Sequence, residues 1–90
     1  MTAEQMVKEL EGLAQKSGIQ VRFEKGDFEG GFCVLKSERI IVVNRRISAA
    51  RKATVLALGM AEIGVDEIYL KPAVREFIED ELAKTRKPSS

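Results

Sequence analysis

Ile40-Ile41-Val42-Val43-Asn44 is the stretch whose reading decides the fold. Four consecutive β-branched residues form a strand that is apolar on both faces, so it belongs in the centre of a sheet. Upstream, Ile19, Val21 and Phe23 alternate with Gln20, Arg22 and Glu24, the period of a strand with one wet face. Lys25, Gly26 and Asp27 supply the turn after it. Phe28 to Leu35 reads as another strand with a bulge at Gly30-Gly31, joined to the central one by a hairpin through Lys36 to Arg39.

Helical patterns flank this block. Thr2 with Gln5 forms a capping-box start, and Met6, Leu10, Leu13 and Ala14 fall on one stripe before Gly18 stops the helix. Ser48 caps a second helix that ends at Ile63, with Ala49, Ala53, Leu56, Met60 and Ile63 on its core face and Gly59 at the edge. Leu58 projects to the opposite side and Val55 lies well off the core stripe. Pro72 opens a third helix reaching about Lys84, with Val74, Phe77, Ile78 and Leu82 inward. The order αβββαα predicts a two-layer α+β domain with a three-stranded antiparallel sheet over residues 1–84, followed by a disordered basic tail at 85–90.

Composition removes many functions. The 90 residues are 44% hydrophobic, enough for one small core, and the 15 Lys+Arg against 14 Asp+Glu leave a charge of +1. There is no histidine, so no imidazole base, no His-based nucleophile pair and no His-ligated zinc site. The glycines between Gly26 and Gly31 lack the Gly-Lys-Ser/Thr ending of a phosphate loop, and no acidic spacing follows a calcium loop. Neither catalysis, cofactor nor metal is expected. A single Cys33, an N-terminus without a basic start or apolar block, and no run long enough to span a bilayer point to a reducing cytoplasmic setting. Strand position makes Cys33 a buried, inert thiol.

Gly30-Gly31, a strand ending Ile41-Val42-Val43-Asn44, a Ser-capped start and a helix bearing Leu56-Ala57-Leu58-Gly59-Met60 together resemble the minimal zincin core of ImmA/IrrE-type metallopeptidases. The resemblance covers roughly Gly30 to Ile63. It implies a zincin-like core in which Leu56 and Met60 stand where the family holds zinc and Ala57 where it activates water, so a peptide groove would be kept without cleavage. Gly30-Gly31-Phe32-Cys33, Asn44 and Tyr69-Leu70-Lys71-Pro72-Ala73-Val74-Arg75-Glu76 also resemble a set of short bacterial proteins, which implies a stand-alone domain but no activity. On periodicity alone, Leu56 and Met60 are core residues four apart.

Near-neutral net charge conceals a dipole. Arg45, Arg46, Arg51 and Lys52 are four cations without an intervening acid, whereas Asp66 to Glu81 carries a net of four negative charges. Arg51 and Lys52 oppose the helix macrodipole, so an acidic partner or phosphate is a natural reading of them, with salt bridging inside the chain the simpler one. Glu81 falls on the apolar stripe of the last helix and needs a cation, for which Arg45 or Arg46 is the choice. Arg45, Arg46, Arg51, Lys52, Leu58 and Glu81 thus define the candidate interaction surface. The expected function is a non-catalytic interaction module that pairs with itself as a homodimer or with another protein. A degenerate peptidase-like peptide binder is the alternative, and a weak nucleic-acid contact through 45–52 follows behind it, disfavoured by the lack of interleaved aromatics and of overall basic charge. No membrane contact is expected.

Overall fold

A computed structural model describes residues 1–65 and 68–85. The expected tail therefore lies outside the described residues, apart from Thr85. Chain order is α1 (Ala3–Lys16), β1 (Gln20–Glu24), β2 (Gly30–Leu35), β3 (Glu38–Asn44), α2 (Ala49–Ile63) and α3 (Pro72–Thr85), an α+β arrangement. The local start signals act as expected. Thr2 accepts from the Gln5 backbone while the Gln5 side chain accepts from Thr2 N–H, closing the capping box, and the Ser48 hydroxyl accepts from Arg51 N–H at 3.2 Å.

The sheet is mixed, with order β1-β3-β2, and not antiparallel throughout as expected. Its centre is β3, as the doubly apolar sequence requires. That placement forces the mixed topology: β2 runs antiparallel to β3 through their hairpin, and a short loop reverses the chain between β1 and β2. β1 must then lie parallel to β3 on its other side. The loop 25–29 has to cross the end of β3, and Asn44 clamps it there. The Asn44 amide Nδ2 donates to the Gly26 and Phe28 carbonyls at 2.8 and 2.7 Å, while its Oδ1 accepts from Arg46 N–H at 2.9 Å. Asn44 is buried, and these bonds satisfy it.

Ile41 and Val43 face the helices and are fully buried. Gly59 lets α2 approach: a side chain there would meet Ile41 Cδ1 at 2.9 Å. α2 also packs on α1 and α3, whereas α3, among the described residues, packs on the helices and not on the sheet. This three-sided setting explains why Val55, expected off the core stripe, is buried. It faces β2, where a side chain at Gly30 would come within 2.8 Å of Val55 Cγ1. The second apolar side of α2 is thus covered largely within the chain. Phe28, placed in the strand by sequence, stands outside β2 and is exposed.

No bulge interrupts β2. Its register on β3 is continuous from Gly30↔Val43 to Leu35↔Glu38, and Gly30 instead takes φ +142°. The hairpin turn is two residues, Lys36 and Ser37, both with positive φ, as a type I′ turn requires. The opposite sheet face carries Cys33, Ile40 and Val42, of which Ile40 is buried and Val42 half-buried. Cys33 is half-buried and not the fully buried thiol expected. No described helix is long and apolar enough to cross a membrane.

Candidate functional site

The basic segment does not act as one surface. Arg51 pairs with Glu29, and Lys52 sits over the Phe23 ring with Nζ 5.8 Å from its centroid. Arg45 and Arg46 are exposed and make no salt bridge among the described residues. Neither reaches Glu81, contrary to expectation. The Arg45 backbone is held at the sheet end by Glu24, whereas Glu81 lies between α3 and α2.

Glu81 is buried and satisfied locally: it accepts from Thr54 Oγ1 on α2 at 2.9 Å and from Lys84 Nζ one turn onward at 2.9 Å. The hydrogen bond and charge of Glu81 raise the Lys84 amine above its ordinary value, so that contribution is complete below the ordinary lysine value and disappears as pH rises through the raised one. This is a structural tie between helices. Glu81→Ala is expected to lower stability by about 1–2 kcal/mol, the usual cost of removing a shared acceptor, with the urea midpoint as readout. An unchanged midpoint would contradict that role.

Among the described residues, a further conspicuous surface is the open edge of β2. Every residue of Gly30-Gly31-Phe32-Cys33-Val34-Leu35 is uncharged, in a chain that is 32% charged. The other edge, β1, carries Arg22 and Glu24. Edge strands normally carry charge, proline or a bulge that discourages pairing. β2 has none of these, and its Val34 and Leu35 are each 56% exposed.

Its hydrogen-bonding direction follows from the register. Asn44 N–H donates to the Glu29 carbonyl at 2.8 Å, and the two-residue turn closes on Leu35↔Glu38. Antiparallel pairs alternate between bonded and non-bonded, so Gly31↔Val42 and Cys33↔Ile40 are the bonded pairs between them. Gly30, Phe32 and Val34 therefore aim their N–H and C=O groups away from β3, toward the open edge. Beneath that edge runs a groove of about 450 Å³ whose lining includes Phe32, Val55, Leu58, Gly59, Glu62 and Leu82.

Of the six candidate surface residues, only Leu58 lies in this groove, where it is half-buried. Leu56, Ala57 and Met60, where the resemblance to a peptidase would set ligands and a base, are fully buried and do not line it. Sequence reasoning passed over Phe32 and Val34. The available signal was the absence of charge over 30–35, which becomes informative once β2 is known to be an edge. No protein-family model, curated protein or solved structure matches the chain.

Proposed function

We propose that the protein is a non-catalytic interaction module that takes an extended, uncharged polypeptide as a further strand on the β2 edge. The observation that carries this reading is the uncharged, unbulged edge itself, with three residues offering free backbone groups over a groove that mixes Phe32, Leu58 and Leu82 with Glu29 and Glu62. Backbone pairing supplies affinity, and the groove receives alternate side chains of the incoming strand. Phe32, Leu58 and Leu82 favour apolar residues at those positions.

Val34→Pro separates this mechanism from generic stickiness. Val34 N–H points away from β3 and its side chain is exposed, so proline there removes an edge donor without removing a ladder bond. The variant is expected to stay within about 1 kcal/mol of the parent in urea denaturation. Selection from a displayed random-peptide library should enrich sequences of alternating apolar residues on the parent and lose them on Val34→Pro. Equal enrichment on both proteins would contradict strand addition.

A further inference from the structure

We infer that the strand received by β2 is the β2 of a second copy, antiparallel, with a two-fold axis at Phe32; this rests on the strand-addition reading above. The outward groups at Gly30, Phe32 and Val34 are symmetric about Phe32. Antiparallel addition therefore pairs Phe32 with the partner's Phe32, and Gly30 with the partner's Val34, each matching free donors to free acceptors. Such a contact is isologous and closes at two copies, joining two three-stranded sheets into one.

Shape and charge favour this occupant. Gly30, Phe32 and Val34 share the helix-facing side of β2, by alternation from Phe32, which packs against the core. The exposed Val34 side chain of one copy then lies beside the other's Gly30, which has no side chain of its own to meet it. The same fit repeats across the axis. Because β2 holds no charge, self-pairing places no like charges opposite one another.

The register makes a covalent test possible. Hydrogen-bonded antiparallel partners have Cα atoms about 5.5 Å apart, within disulfide range. Cys33 faces the partner's Gly31, and its distance to the partner's Cys33 is roughly 8 Å, beyond that range. Oxidation should therefore cross-link the Phe32→Cys, Cys33→Ser variant into a dimer and leave the parent uncross-linked.

Sedimentation equilibrium of the full chain supplies the independent measurement, needing no change at Phe32. The parent is expected to be a dimer, and Val34→Pro to dissociate about 30-fold more readily or worse, since the axis removes two donors per interface. A Val34→Pro protein as dimeric as the parent would overturn the proposal. A parent that stays monomeric but still selects peptides overturns the second copy alone. A parent that neither dimerises nor selects peptides overturns the strand-addition reading beneath it.

Discussion

Gly30→Ala is expected to cost roughly 3–5 kcal/mol, a large share of the about 5–13 kcal/mol that a chain of this size has in total. Two effects add. The backbone at Gly30 has φ +142°, a region nearly closed to residues with a side chain. An added Cβ would also fall on the Val42 carbonyl oxygen of the central strand, which has no freedom to move aside, and press within 2.8 Å of Val55. The neighbouring Gly31 provides the control: its Cβ position is open and its φ is not positive, so Gly31→Ala should change stability little. Urea midpoints of the two variants decide the matter. Equal midpoints would show that the close approach of Gly30 to β3 does not exist.

Asn44→Ala is expected to cost about 2–3 kcal/mol, more than most single hydrogen-bond deletions, because one side chain serves three backbone groups. Two carbonyls in the loop over the end of β3 lose their donor, and Arg46 N–H loses its acceptor. Asn44→Asp tests direction: it keeps the acceptor for Arg46 but sets a carboxylate oxygen against the Gly26 and Phe28 carbonyls. It should destabilise at least as much as alanine. Asn44→Ala should raise amide exchange at Arg46, whereas Asn44→Asp, which keeps that acceptor, should raise it less. A loss under 0.5 kcal/mol for Asn44→Ala, on the scale of an ordinary surface change, would show that the loop needs no clamp.

Much of the fold was legible in local chemistry. Thr2 with Gln5, Ser48 and Pro72 marked three helix starts, and the doubly apolar Ile40–Val43 marked the central strand. The mixed sheet was one step further along the same path. A central β3, together with two chain reversals, leaves β1 no direction but parallel. Side-chain partners were harder to read, because they depend on which elements meet. Val55 looked peripheral on a single helical stripe, yet α2 has the sheet on one side and helices on others. Glu81 was recognisable as a buried acid in need of a partner. Its partner was sought among the strongest cations, Arg45 and Arg46, whereas a neutral Thr54 and the adjacent-turn Lys84 fill the role.

The interaction surface followed the same rule. Arg45, Arg46, Arg51 and Lys52 drew notice as a charge cluster, but Arg51 and Lys52 are engaged inside the chain by Glu29 and Phe23. The edge of β2 drew none because its distinguishing property is a lack of charge. That lack acquires meaning from strand order, which places β2 outermost and leaves Phe32 and Val34 with backbone groups aimed at solvent.

Residue-resolved amide exchange reads that edge directly. In the isolated chain, Gly31 and Cys33 donate to β3 and should be protected, whereas Phe32 and Val34 should exchange freely. When the edge is occupied, by a second copy at high protein concentration or by a selected peptide, Phe32 and Val34 should become as protected as Cys33. Free exchange of both amides in the demonstrably bound protein would contradict strand addition at β2.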